Sequence, residues 1–184
     1  MTMQLPTVGR SFLLGLVSGA RSLSGFAAQA AATPSLAPRQ PERALGRLGV
    51  KGLVALAAAG ELVGDKLPTT PSRLSPPALV PRLGLAAVTA VLVARAEDER
   101  ERSRRGPTAY EQGPAEASLP PGRPAPAVPG SALVAVPVAV GASLAGAFLG
   151  HAWRGRAAAV FGRDWPGAVL EDAAAAALAA LATR

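Results

Sequence analysis

Residues 130–153, GSALVAVPVAVGASLAGAFLGHAW, run for 24 residues without a charged side chain. A helix of that length rises about 36 Å, which exceeds the roughly 30 Å hydrocarbon core of a bilayer. Ala142, Gly146 and Gly150 recur every four residues, and small residues at that spacing let helices pack closely in lipid. Pro137 lies inside the stretch, where neighbouring membrane helices accommodate it. The stretch predicts a transmembrane helix.

The composition of the whole chain agrees with a membrane protein. Hydrophobic residues make up 49% of the 184 residues and charged residues 17%, against roughly 25% charged in soluble domains. Alanine, glycine, leucine and valine supply most of the apolar residues, and small side chains fill an aqueous core poorly.

Four further segments are apolar enough to form helices, namely residues 11–32, 43–67, 78–94 and 165–183. Arg82 lies in the third of these, which spans a bilayer only if the guanidinium reaches an interface. Trp153 and Trp165 flank the basic residues that separate the last two helices, as in an aromatic belt. The expected fold is all-α, a polytopic transmembrane bundle of about five helices, with residues 1–184 forming one membrane-embedded domain.

The first apolar segment has a second interpretation, a cleaved signal peptide. Arg10 would be its basic end and Ala28-Gln29-Ala30 its cleavage site. Against this, Arg21 falls between the apolar core and that site, and small residues from Gly15 to Gly25 share one helical face. A retained packing helix is the favoured interpretation.

Residues 96–130 differ from the rest of the chain. A mixed-charge run over residues 97–102 is followed by seven prolines, which predicts a solvated helix extension and then a disordered loop. The basic residues decide the membrane orientation only weakly, because a chain that crosses five times has cations on both sides.

The helix order two, one, two allows an internal repeat. Ser18-Gly19-Ala20 of the first helix can be laid over Val140-Gly141-Ala142 of the fourth, and each precedes a helix with two carboxylates. The odd intervening helix would turn the second copy over, which predicts an inverted-topology repeat.

Charged residues inside the apolar segments are the candidate functional groups. A charge at the bilayer centre costs roughly 2.5–3.5 kcal/mol on insertion scales, so such groups are paired, face a cavity or lie nearer an interface. The candidate ion- or substrate-binding residues are Arg21, Glu61, Asp65, Lys66, Glu171 and Asp172. We expect Arg21 to pair with Glu61 or Glu171, which leaves a carboxylate to titrate or to meet a cation. The alternative is a structural network that fixes helix register.

Several functions find no support in the sequence. The net charge of +7 comes from basic residues between apolar segments rather than from one stripe with aromatics, so nucleic-acid binding is not expected. There is no cysteine, and His151 is the single histidine, so no metal site of the zinc type and no cofactor is predicted. No nucleophile, phosphate-loop or paired-histidine motif indicates an enzyme.

Certain phrases of the sequence resemble a known family. These are Ser18-Gly19-Ala20-Arg21-Ser22, then Glu61-Leu62-Val63-Gly64-Asp65-Lys66-Leu67-Pro68, then Glu171-Asp172. They are similar to a family of small bacterial integral membrane proteins that is catalogued only as a domain of unknown function. The resemblance implies a membrane location and no catalytic role, and the Pro- and Arg-rich loop departs from the compact family pattern.

Three functional hypotheses follow. The first is a multi-pass protein of the bacterial inner (plasma) membrane that conducts or binds a small ion or solute through its intramembrane carboxylates. It is expected to be a homo-oligomer, because five short helices enclose little interior. The second is a non-transporting membrane scaffold or assembly factor, and the third is a secreted or soluble alanine-rich helical protein with a cleaved leader. The lipid bilayer is the one partner that the first two share.

Overall fold

The computed structural model describes residues 5–37, 39–64, 74–105, 128–163 and 165–184. Helix accounts for 84% of these residues, and they contain no strand, which confirms the all-α class. The helices are α1 (Thr7–Ala20), α2 (Ser22–Ala32), α3 (Glu42–Leu45), α4 (Leu48–Gly64), α5 (Pro76–Arg105), α6 (Ala132–Phe161) and α7 (Trp165–Ala182).

The first apolar segment forms two helices, so the prediction of one membrane-crossing helix over residues 11–32 is wrong. Arg21 has an extended backbone, with φ −143° and ψ 107°, and it separates α1 from α2. The two helices then double back on each other, because Gly25 of α2 packs against Leu14 and Ser18 of α1. We call this pair the helical hairpin, and residues 21–23 are its tip.

A glycine permits the close packing inside the hairpin. A Cβ atom on Gly25 would overlap the Ser18 hydroxyl and lie 2.6 Å from the Leu14 carbonyl oxygen. Any larger side chain would therefore push α2 away from α1. At 1.5 Å per residue α1 rises about 21 Å and α2 about 16 Å, so neither alone would cross a hydrocarbon core of about 30 Å.

The remaining long helices alternate in direction around the hairpin. Arg10 of α1 contacts Glu97 of α5 and the Ala182 carbonyl of α7, while Arg21 at the tip contacts Asp172 of α7. Leu14 of α1 also packs with Val93 of α5, four residues before Glu97. Both α5 and α7 therefore run antiparallel to α1. The end of the bundle that holds Arg10, Glu97 and Ala182 is called the basic face below.

Helix α6 packs closely on α1 through small residues. Gly15 lies against Ala139, Gly19 against Ser143, and Gly146 against Leu16. The second contact pair, Gly19 with Ser143, lies four residues after the first pair, Gly15 with Ala139, on both helices. The two helices therefore run parallel. An inverted repeat requires them to run in opposite directions, and α6 is continuous where the hairpin turns. The predicted inverted repeat is therefore not confirmed.

The interior holds small and polar side chains together with a few large apolar ones, among them Leu14, Val17, Leu92 and Val93. Arg21 is the largest fully buried side chain among the described residues, at 1% exposure. Many large apolar residues are exposed on five helices: Val8 and Phe12 on α1, Leu48, Leu53, Leu56 and Val63 on α4, Val80 and Val88 on α5, Leu133, Phe148, Leu149 and Val160 on α6, and Val169, Leu170 and Leu181 on α7. Proteins in water bury such side chains, whereas a lipid solvent favours their exposure.

Three described helices are long and apolar enough to cross a membrane: Pro76–Arg104, Ala132–Phe161 and Trp165–Ala182. This agrees with membrane association. Helix α4 has 17 residues. Helix α5 carries the mixed-charge run as far as Arg105, as expected of a helix extension, and residues 106–127 of the predicted loop lie outside the described residues.

Candidate functional site

Arg21 occupies the hairpin tip, buried between α1 and α2. Its Nη2 donates a hydrogen bond to Oδ1 of Asp172 on α7. The sequence predicted Glu61 or Glu171 as the partner of Arg21, whereas the structure pairs it with Asp172, so the carboxylate pairing is confirmed and the named partners are wrong. The Asp172 side chain is 24% exposed, so a fully buried arginine pairs with a partly exposed carboxylate.

Glu61 of α4 closes the other side of the tip. Its Oε1 accepts a hydrogen bond from the Ser22 amide at 2.7 Å, and its Oε2 accepts one from the Leu23 amide at 2.8 Å. These are the first two amides of α2, which have no partner within their own helix. The carboxylate also lies at the positive end of the α2 dipole, where a negative charge is stabilised.

Arg82 is a second buried cation near the tip. The sequence required its guanidinium to reach an interface if its segment spans a bilayer; the structure shows the side chain buried within the protein. Its Nη2 lies 3.8 Å from Oε1 of Glu61, and its Nη1 donates to the Ala78 carbonyl oxygen at 3.3 Å. Glu61 therefore supplies a counter-charge for Arg82.

Glu171 belongs to a different contact, between α6 and α7. Its Oε2 accepts a hydrogen bond from Nε of Arg154 at 3.1 Å. The Trp153 indole donates to the Gly167 carbonyl oxygen at 2.9 Å on the same side. The Trp153 side chain is therefore held by α7, and the pair of Arg154 and Glu171 joins α6 to α7.

Four predicted site residues are described, and the other two, Asp65 and Lys66, lie outside the described residues. Arg21, Glu61 and Asp172 come together at the tip. Within the described ranges no group of three or more His, Cys, Asp or Glu residues is placed to hold a metal ion.

The tip combines a helix break with opposite charges in a dry setting. Two cations, Arg21 and Arg82, face two carboxylates, Glu61 and Asp172. Glu61 holds both the α2 amides and Arg82, so the tip geometry depends on this one carboxylate. Sequence reasoning missed Arg82, although an arginine inside an apolar segment was the available signal.

Comparisons with known proteins add no relative to this picture: no family model matches the chain, and no curated protein or solved structure matches it significantly.

Proposed function

We propose that this chain is a multi-pass protein of the bacterial plasma membrane that binds or conducts a small ion or solute at the hairpin tip. The observation that supports this most is the break at Arg21. There a buried cation and two carboxylates lie beside the first amides of α2, which have no partner within their own helix. Broken helices whose ends meet charges near the bilayer midplane are the ion and substrate sites of many transporters.

The depth of the tip favours the same proposal. Arg10 stands on the basic face, and eleven residues of rise separate it from Arg21, about 16 Å. This is about half of a hydrocarbon core of roughly 30 Å. The proposed topology is thus a hairpin that enters from one side and returns, with α5, α6 and α7 each crossing. Helix α4 starts beside the end of α2, where Lys51 contacts Ala31 and Thr33, and its Glu61 reaches the tip. Its described residues therefore extend from the basic face to about the depth of the tip.

The proposed orientation follows from the hairpin. Because α1 and α2 return to their starting side, both ends of residues 5–37 lie on the basic face. The described arginines there are Arg10, Arg39, Arg43, Arg47, Arg95, Arg100, Arg102, Arg104 and Arg184, and those toward the opposite end are Arg154, Arg156 and Arg163. Loops rich in arginine stay in the cytoplasm, so we assign the basic face to the cytoplasm. The resemblance to small bacterial membrane proteins supports the same location.

The test is flux through vesicles that contain the purified chain. Glu61→Gln and Asp172→Asn should each lower the flux of protons, Na⁺ or K⁺ at least tenfold, because each removes a charge at the tip. Glu101→Gln, on the extension of α5, is the matched control and should keep the flux. A wild-type flux equal to that of empty vesicles for all three ions and for a panel of small solutes would reject the proposal.

A membrane scaffold is the second candidate, and the pairing of the charges favours it. Glu61 meets two amides and Arg82, Asp172 meets Arg21, and Glu171 meets Arg154. Such a network can fix helix register without any mobile ion. Under this hypothesis Glu61→Gln and Asp172→Asn lower thermal stability in detergent. The wild type then shows no flux above that of empty vesicles.

The soluble hypothesis is tested separately by washing membranes with carbonate. Extraction into the soluble fraction would support it, and retention with the membrane would support either of the first two. Cleavage after Ala30 would remove α1, which packs against α5, α6 and α7. A chain cleaved there could not form this bundle. The homo-oligomer belongs to the first proposal, since large apolar residues of α4 are exposed.

A further inference from the structure

A cavity of about 530 Å³ opens on the basic face, away from the hairpin tip. Its walls come from the two ends of the hairpin, from the turn after α2, from Glu42 of α3 and from the last three turns of α5. Apolar atoms of Ala32, Leu36 and Ala96 form part of the wall. The cavity is large enough for a molecule of several heavy atoms rather than for a few waters alone.

Basic side chains dominate the charged part of this wall. The five arginines are Arg10, Arg39, Arg95, Arg100 and Arg104. Three carboxylates, Glu42, Asp98 and Glu99, line the same cavity, and Glu97 beside it pairs with Arg10 and Arg100. The five arginines therefore exceed the four carboxylates by one. An excess of guanidinium groups in a partly apolar cleft favours a phosphate-type anion, which guanidinium binds through paired hydrogen bonds.

Two buried side chains of the wall have polar atoms without a hydrogen-bond partner. Arg10 is 3% exposed and uses Nε for the Ala182 carbonyl oxygen and Nη1 for Glu97, while its Nη2 has no partner. Gln29 is 4% exposed, and its Oε1 has no partner. A buried polar atom without a partner is unfavourable, because it has lost its hydrogen bonds to water and gained none in return. Both atoms therefore favour a ligand that satisfies them.

The two atoms need different hydrogen-bond partners, one an acceptor and the other a donor. Nη2 of Arg10 is a charged donor, which an anionic oxygen satisfies. Oε1 of Gln29 is an acceptor, which a hydroxyl group satisfies. A phosphate that carries a hydroxyl, either as hydrogen phosphate or as a hydroxylated phosphodiester, supplies both.

We propose that this cavity binds a hydroxyl-bearing phosphate group, with Arg10 holding the anionic oxygen and Gln29 accepting the hydroxyl hydrogen. Arg104 on the outer wall adds long-range attraction. Two sources carry this chemistry, a free phosphate compound from the cytoplasm and the headgroup of an anionic lipid such as phosphatidylglycerol. The site is separate from the hairpin tip and does not depend on ion flux there.

The experiment uses the full chain in an uncharged detergent and in lipid nanodiscs. Calorimetric titration with inorganic phosphate near pH 7 measures the free source. Retention of phosphatidylglycerol against phosphatidylcholine, measured by native mass spectrometry, tests the lipid source. Phosphate binding supports the free source, and selective retention of phosphatidylglycerol without phosphate binding supports the headgroup.

Variants assign the binding to this cavity. Gln29→Leu should weaken binding about tenfold, and Arg104→Gln about threefold, without the folding risk of replacing Arg10. Gln29→Glu should abolish binding, because its carboxylate would meet Arg10 and repel the anion. Arg156→Gln, an exposed arginine on the opposite part of α6, is the control and should bind as the wild type does. The assignment would be overturned if the wild type bound neither probe. It would also be overturned if Gln29→Leu, Arg104→Gln and Gln29→Glu all bound as tightly as the wild type.

Discussion

The backbone of Gly19 lies directly against the Ser143 carbonyl group, where α1 and α6 approach most closely. A Cβ atom on Gly19 would overlap the Ser143 oxygen and lie 2.8 Å from the Ala147 amide nitrogen. Both obstacles are backbone atoms, which cannot rotate away. The position of the hairpin therefore depends on the absence of one methyl group.

Gly19→Ala is expected to destabilise the fold by about 1–3 kcal/mol, because the extra methyl overpacks the α1–α6 contact. Alanine favours helix by up to about 1 kcal/mol, so the loss measures packing and not propensity. Gly141→Ala is the matched control, since a Cβ there meets nothing within 4 Å. Denaturant unfolding in detergent should show Gly141→Ala as stable as the wild type or more so. Equal stability of the two variants would contradict the α1–α6 packing.

Arg21→Met is expected to cost about 3–5 kcal/mol, because it removes one partner of a buried ion pair. The double variant Arg21→Met with Asp172→Asn should recover part of that loss, since the carboxylate left behind is then neutral. A double-mutant cycle in thermal or denaturant unfolding measures the coupling, which we expect to be about 0.5–3 kcal/mol. Additive losses would indicate that the two side chains do not interact.

Pro6→Cys and Leu36→Cys are expected to react with a membrane-impermeant thiol reagent from the same side of the membrane. The hairpin returns to its starting side, whereas one continuous helix would place these two positions on opposite sides. Both residues are exposed, and the chain has no cysteine of its own. Arg163→Cys, at the far end of α6, should react from the other side. Labelling of positions 6 and 36 from opposite sides would contradict the hairpin.

Lys51→Met is expected to lower the free energy of unfolding by about 0.5–1 kcal/mol. Nζ of Lys51 donates to the carbonyl oxygens of Ala31 at 3.1 Å and Thr33 at 2.7 Å, so it stabilises the negative end of α2. Arg47→Met is the control, because it removes a cation one turn earlier that is exposed to solvent. An equal loss in both variants would indicate a general charge effect and no contact with α2.

The sequence was sufficient for the helical class and for the most apolar of the three candidate membrane helices. Residues 130–153 contain no charge and carry small residues every four positions, and these local properties favour a packed helix in lipid wherever the segment lies. The need of Arg21, Glu61 and Asp172 for partners was also predictable, because a charge in an apolar segment needs one.

The tertiary structure alone decided how the first segment folds. Residues 11–32 are mostly apolar, and no proline marks a break at Arg21. The hairpin forms because Glu61 and Asp172, which are distant in sequence, satisfy the amides and the guanidinium at the tip, and because Gly25 lets α2 pack on α1. A hydropathy pattern reflects the local preference of each segment and carries no information about pairing between distant residues. It therefore identified the charged residues but not the turn that they stabilise.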